Sequence, residues 1–329
     1  MGNRFANLGV SVLLGGPVGD SLSGLLHSNI TTLKKHHENI HPDKPFHQVE
    51  DEIHLIMEYG GEQKWGELQS KRANRFIVSH DVQNSRLTAV EELHEAIKTY
   101  NPQIVVIAGT HLLEILDEET RKERLDVLVS TLKMIPSDIA IHLEIAGVGD
   151  HNLMKLIAEE LFPNIDSIGL NEQELGALYI SLGRDNLVAN DFINPTADIA
   201  GLALDEIMQS PIMKLDEGTH QLSRIHLHYL SYHLLGQLRK QRKDTFTWNS
   251  KRAERAVAAG CLATTIQACG IDGELPKDSE LIIRPNGISK LFQYYQTEHF
   301  DFWVAPVAAC REPKRTVGLG DLISATGLA

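Results

Sequence analysis

The sequence predicts an α/β protein whose mainly parallel sheet is covered by helices and joined to a small β-rich lid, and three observations carry this. From about residue 86 onward, buried strand-like runs alternate with amphipathic helical runs; two further strand-like runs, at 53–59 and 75–80, stand outside that series; and 329 residues suffice for one large domain plus a smaller unit. The expected boundaries are 1–85, which includes the lid strands, and 86–329, the large domain.

The elements follow in order. Residues 1–8 are helix-like, 10–14 read as a strand, and the turn Gly15-Gly16-Pro17-Val18-Gly19 ends it. His36, His37, His41 and His47 lie among prolines without the spacing that puts two imidazoles on one face, so a solvated loop is expected there rather than a metal site. Runs 53–59 and 75–80 are separated by Gly60-Gly61-Glu62 and Trp65-Gly66, and the first partly alternates, as a half-exposed sheet does. Ser79, His80 and Asp81 imitate a hydrolase triad, but strand neighbours point to opposite faces, so these three are not expected to assemble. Helix 86–99 then leads to strand 104–109, helix 117–134 to strand 139–144, and helix 151–161 to strand 167–171, a βαβ series that specifies parallel strands. Residues 183–222 read as loop with one helix near 198–208; 224–233 read as a strand followed by a helix; 250–269 form a small-residue helix able to pack beside the Gly318 region; and 302–307 form the last strand.

Composition excludes several functions. A net charge of −13 and a pI near 5.6 argue against a nucleic-acid surface. The short run Arg239-Lys240-Gln241-Arg242-Lys243 reads as a solvated turn. Three cysteines cannot build a disulfide framework, and Cys261 and Cys269 fall on one helix, so reduced thiols are expected. No apolar run is long enough to span a bilayer, and no basic-then-apolar leader opens the chain.

Chemistry concentrates at Arg315-Thr316-Val317-Gly318-Leu319-Gly320-Asp321, between the last strand and a helix. A helix N-terminus leaves N–H groups unpaired and carries roughly half a positive charge, and glycines at 318 and 320 let an anion approach the backbone. Asp321 beside such an anion hole repels phosphate, which suggests that it also takes a proton from a hydroxyl that attacks phosphorus. Ligands of open α/β sheets bind beyond the carboxyl ends of the strands. There the sequence places His111, then His142 and Glu144, then Asn171 and Glu174. Glu144, Glu174 and Asp321 brought to one edge would repel unless a divalent cation compensates, and magnesium held by few carboxylates, water and phosphate oxygens suits that set. The residues by themselves thus point to phosphoryl transfer to a hydroxyl.

Together these motifs resemble the ADP-dependent glucokinases of the ribokinase-like superfamily, in their animal form. The likeness runs through 13–19, 52–59 with Trp65-Gly66, 74–81, His142-Leu143-Glu144, 169–175, Arg224-Ile225-His226-Leu227-His228 and 315–321. The resemblance implies a ribokinase-like three-layer fold and transfer of the β-phosphoryl group of ADP to the 6-hydroxyl of glucose, giving glucose 6-phosphate and AMP. It implies Asp321 as catalytic base and the backbone from Gly318 through Leu319 and Gly320 as anion hole, with Arg315 on the nucleotide side. Glu144 and Glu174 would organise Mg2+, supported by Asn171 and His142. The implied partners are ADP and glucose, with no nucleic acid, no membrane segment and a monomeric state. The family's Gly-Gly-Asn-Ala sugar-binding turn and its endoplasmic-reticulum signal precede the stretch matching Met1, and the helix after Asp321 stops at Ala329. An incomplete sugar site is therefore expected in this chain. A non-catalytic nucleotide binder, or a kinase for fructose 6-phosphate with Arg75 meeting the acceptor's phosphate, are the other expectations.

Overall fold

The computed structural model describes residues 1–43, 50–60, 62–70, 74–210, 219–270, 281–283, 292–310 and 318–329. The N-terminal part holds α1 (Gly2–Asn7), β1 (Val12–Leu14), α2 (Asp20–Ser23), β2 (Ile30–Thr32) and α3 (Leu33–Ile40), followed by β3 (Ile53–Tyr59), β4 (Lys64–Trp65), β5 (Leu68–Gln69) and β6 (Asn74–His80). The βα series comprises α4 (Val90–Tyr100), β7 (Ile104–Ile107), α5 (Glu118–Lys133), β8 (Ala140–Glu144), α6 (His151–Leu161), β9 (Ser167–Leu170), α7 (Glu172–Ser181) and α8 (Ala197–Met208). The remainder is β10 (Arg224–His228), β11 (Tyr232–Leu238), α9 (Ser250–Cys269), β12 (Leu281–Ile283), β13 (Gln293–Gln296), β14 (Phe300–Pro306), β15 (Ala308–Cys310) and α10 (Leu319–Leu328).

Among the described residues the main sheet has seven strands in the order β13-β14-β11-β10-β9-β8-β7. β7 to β10 pair in parallel, whereas β11 is antiparallel to both β10 and β14, and β13 to β14. Five strands, β7 to β10 and β14, therefore point the same way. The sheet is mainly parallel in direction but half antiparallel in pairing. The difference arises at 224–233, where one strand followed by a helix was expected. The chain instead turns back between Tyr229 and Tyr232, whose N–H and C=O are 3.0 Å apart, and runs on as β11.

Alternation along the strands separates the layers. Leu234, Phe302 and Val304 enter a large core with α4 to α8, while their neighbours Leu235, Trp303 and Ala305 pack with Ala253, Val257 and Cys261 of α9 on the opposite face. That is a three-layer arrangement. The helices form where their caps permit: Asp117, Asp150 and Thr196 each accept a backbone N–H at a helix start, satisfying a donor the helix itself cannot. β3 and β6 pair antiparallel over 53–59 and 74–80 and form a sheet of their own.

One expectation about covalent structure fails. Cys269, the last residue of α9, is disulfide-bonded to Cys310 in β15, with Cα atoms 5.6 Å apart. The packing of β15 against α9 creates this pair, and spacing along one helix cannot reveal it. Cys261 remains a buried thiol, which burial pushes up to about 12.

Candidate active site

Period-two alternation on β8, β9 and β10 does more than bury apolar residues. Ile141 and Leu143, Ile168 and Leu170, and Ile225 and Leu227 enter the large core. The intervening His142, Glu144, Ser167, Gly169, Arg224, His226 and His228 therefore share the other face, beneath α10. This polar layer is buried, so its groups must pair with one another.

Arg224, Ser167, His142, Glu144 and His228 form one chain, whereas neither ring nitrogen of the buried His226 has a hydrogen-bond partner among the described residues. Arg224 donates from Nη1 to Ser167 Oγ at 3.0 Å and from Nη2 to the Gly327 carbonyl near the end of α10 at 3.0 Å. Ser167 Oγ is 2.9 Å from His142 Nδ1, and His142 Nε2 is 3.2 Å from Glu144 Oε2. Glu144 Oε1 is 3.2 Å from His228 Nε2. Burial pushes the Glu144 carboxyl up, but the two imidazole hydrogen bonds outweigh it and hold the group at about 2. For His228 burial lowers the pKa, and the bond and charge of Glu144 more than offset it, so its pKa is raised. Burial keeps Arg224 down at about 9, still charged at neutral pH. Gly169 makes room for this arrangement: a Cβ there would lie 2.1 Å from Glu144 Oε2 and 2.9 Å from Ser324 Oγ.

The network reaches α10 at both ends. A Cβ on Gly320 would sit 3.2 Å from His228 Cε1, so the helix start lies directly on that imidazole. Gly318 caps α10 in the left-handed region, at φ +74, and has no side chain of its own to bond the first N–H groups. Leu319 and Gly320 form the first turn, and Asp321, within it, is half exposed. Arg315 lies outside the described residues.

Asn171 and Glu174 stand at the start of α7. The Asn171 side chain accepts from the N–H groups of Gln173 (2.9 Å) and Glu174 (3.0 Å), while Glu174 Oε2 accepts from Asn171 N–H (2.8 Å), a complete capping box. Burial, aided by the charges of Glu144 and Glu172, pushes the Glu174 carboxyl up to about 7. Glu144 is thus compensated by two imidazoles, and Glu174 by a backbone donor. Among the described residues no three His, Cys, Asp or Glu side chains are grouped to hold a metal ion.

Sequence reasoning did not assign His228, Arg224, Ser167 or Gly169. The signal was available in Arg-Ile-His-Leu-His, whose alternation marks a strand polar on one face. Exposure is the usual reading of such a face, and it is α10, with α9 beside it at His226, that makes it interior. The triad look-alike also changes. His54, on β3, reaches across to Ser79 Oγ at 2.8 Å through Nδ1 and to Asp81 Oδ2 at 3.2 Å through Nε2. Ser79 and Asp81 are linked after all, by a cross-strand histidine rather than by their neighbour His80.

The three-layer α/β fold, with carboxylates and imidazoles beside a glycine-capped helix start, is one that solved ADP-dependent kinases share. A solved ADP-dependent kinase in complex with fructose-6-phosphate and ADPβS shares the fold at a TM-score of 0.70, with 18% identity, over 99% of this chain and 77% of that one. The family model for the ADP-specific phosphofructokinase/glucokinase conserved region matches residues 1–329, and the chain belongs to that family. The ADP-dependent glucokinase of Bos taurus is 33% identical over 100% of this chain and 66% of its own length. The probable ADP-dependent glucokinase of Caenorhabditis elegans is 29% identical over 96% of this chain and 64% of its own. The chain thus spans about two thirds of the length of these curated relatives. Among its described residues no helix is long and apolar enough to cross a membrane.

Proposed function

We propose that the chain carries the phosphotransfer machinery of an ADP-dependent glucokinase, moving the β-phosphoryl group of ADP to the 6-hydroxyl of glucose and releasing AMP. The observation that carries this reading is the seating of the α10 start, with Gly320 against His228 and His228 bonded to Glu144. In it, the N–H groups of residues 318–321 hold the transferred phosphoryl, and Asp321, half exposed in the first turn, accepts the hydroxyl proton as the oxygen–phosphorus bond forms. The bond from phosphorus to the AMP oxygen breaks in the same displacement. Positioning supplies most of the acceleration, since phosphoryl transfer asks little covalent chemistry of the protein.

Since no three of the described side chains are grouped to hold a metal ion by themselves, magnesium is read here as completing its shell with water and phosphate oxygens. Glu144 and Glu174 would hold it, largely through water, and when bound it neutralises charge on the phosphate oxygens. The β3–β6 pair is read as the lid over the acceptor, with 1–85 as the smaller unit. Glucose is favoured as acceptor because both curated relatives named above are glucokinases. The side chain of Arg75, the residue that would meet an acceptor phosphate, lies outside the described residues.

The test is AMP release from ADP that depends on glucose and magnesium, measured for this chain and for a full-length relative. Asp321→Asn is expected to lower turnover by roughly 10²–10⁴-fold while leaving ADP binding nearly intact. Undiminished turnover in the variant would remove Asp321 as the base. ADP binding without turnover in this chain would favour a nucleotide binder.

A further inference from the structure

The basic turn after β11 does not simply face solvent. It forms one wall of a cleft of about 840 Å³ at the edge of the sheet opposite the candidate active site, where β9 and β10 begin and β11 ends. That volume lies within the range of small-molecule sites. Arg239, Lys240 and Arg242 supply this wall; Glu298 and Asp301, from the β13–β14 connection and the start of β14, supply an acidic wall adjoining it.

The two walls differ in what they have left to give. Arg242 is held by Asp244 through Nε (3.1 Å) and Nη2 (2.7 Å). Asp301 accepts from Tyr294 Oη at 2.9 Å and Gln296 Nε2 at 2.6 Å, and the walls meet where Arg239 Nε stands 3.9 Å from Asp301. Arg239 spends one further donor on the Thr297 carbonyl at 3.3 Å and stays exposed. Lys240, exposed and also lining the cleft, makes no ion pair or hydrogen bond among the described residues. Asp244 answers Arg242 and Asp301 stands only at the limit of ion-pair distance from Arg239, so Lys240 and the exposed Arg239 guanidinium keep donors for an anion, while the carboxylates suit hydroxyl donors.

We propose that this cleft binds a phosphorylated sugar, its phosphate on Lys240 and Arg239 and its hydroxyls on Glu298, Asp301 and Gln296. A simple polyanion would be repelled by the acidic wall, and an unphosphorylated sugar would leave the basic wall unanswered. The site goes beyond the proposed transfer reaction and stands at the other end of the strands. Occupancy by a hexose phosphate would give the protein a sensor separate from its reaction centre.

Calorimetric titration of the chain with glucose 6-phosphate tests this, with glucose and inorganic phosphate as comparison ligands. Lys240→Ala and Arg239→Ala are both exposed replacements, and a melting curve on each verifies the fold. The expected result is saturable glucose 6-phosphate binding that weakens by about tenfold or more in each variant, as loss of a charge-assisted contact to phosphate requires. Absence of binding to the unaltered chain, or binding unchanged in both variants, overturns the proposal. Inorganic phosphate binding as tightly as glucose 6-phosphate overturns the sugar-phosphate class. Because both substitutions lie far from Asp321, the Asp321→Asn assay succeeds or fails independently.

Discussion

Gly169 shows how much a single residue decides. It lies on β9 between two core residues, and an added methyl would overlap the Glu144 carboxylate and the Ser324 hydroxyl. Neither neighbour can give way cheaply, because Glu144 is held by two imidazoles and α10 is held at its far end by Arg224. Gly169→Ala is expected to destabilise the fold by about 2 kcal/mol, the usual cost of overpacking a filled interior. Urea titration of the variant measures it, and an unchanged midpoint would mean that Glu144 swings aside freely. Gly169 reads in the sequence as an ordinary strand glycine. What makes it obligatory is a carboxylate from the adjacent strand.

At the scale of elements, the base of the β3–β6 pair is pinned by acids. Glu52 accepts from the N–H groups of Val82 (2.7 Å), Gln83 (2.6 Å) and Asn84 (3.0 Å), and Asp51 accepts from Gly19 N–H at 2.6 Å. Burial and the neighbouring Glu52 raise the pKa of Asp81. A carboxyl raised in the folded state stabilises the fold while it stays protonated, and that contribution is lost as pH rises from the ordinary carboxyl range, about 4, through the raised value. Asp81→Asn, which cannot ionise, is expected to flatten this part of the profile of melting temperature against pH. A profile identical to that of the unaltered chain would show that Asp81 does not carry the dependence. The Cys269–Cys310 bridge is a second device at this scale. It closes a loop of 41 residues, for which chain entropy gives about 4 kcal/mol. Reduction, or Cys310→Ser, should lower the melting temperature by several degrees, and a scan with and without reductant checks it. The elements themselves were legible: helices 151–161 and 250–269 and the pair of runs at 53–59 and 75–80 follow from period and composition. The return of the chain at 229–232 was not, because a run of apolar and histidine residues continues through the turn without glycine or proline.

In the whole molecule, Arg224 is the tie between sheet and helix layer. It is almost fully buried, bonds to β9 and to the far end of α10, and lies 4.9 Å from the Trp248 ring. Arg224→Met keeps the volume and strands two buried acceptors, so a loss of about 3 kcal/mol is expected, together with a looser α10 and lower turnover. Denaturant midpoints and the glucose-dependent assay test the two halves, and a fully stable, fully active variant would mean that the tie is redundant. The sequence by itself determined the α/β class, the strands that carry the polar edge, the glycine-capped helix start with Asp321, and the family, because alternation, glycine placement and short motifs are local properties. Only the tertiary structure decided that the polar face of β8 to β10 is interior, that Glu144 is answered by His142 and His228, that Cys269 finds Cys310, and that the basic turn faces a cleft. Each of these is a meeting of residues far apart in the chain, set by how layers stack, and no local period records which face another layer will cover.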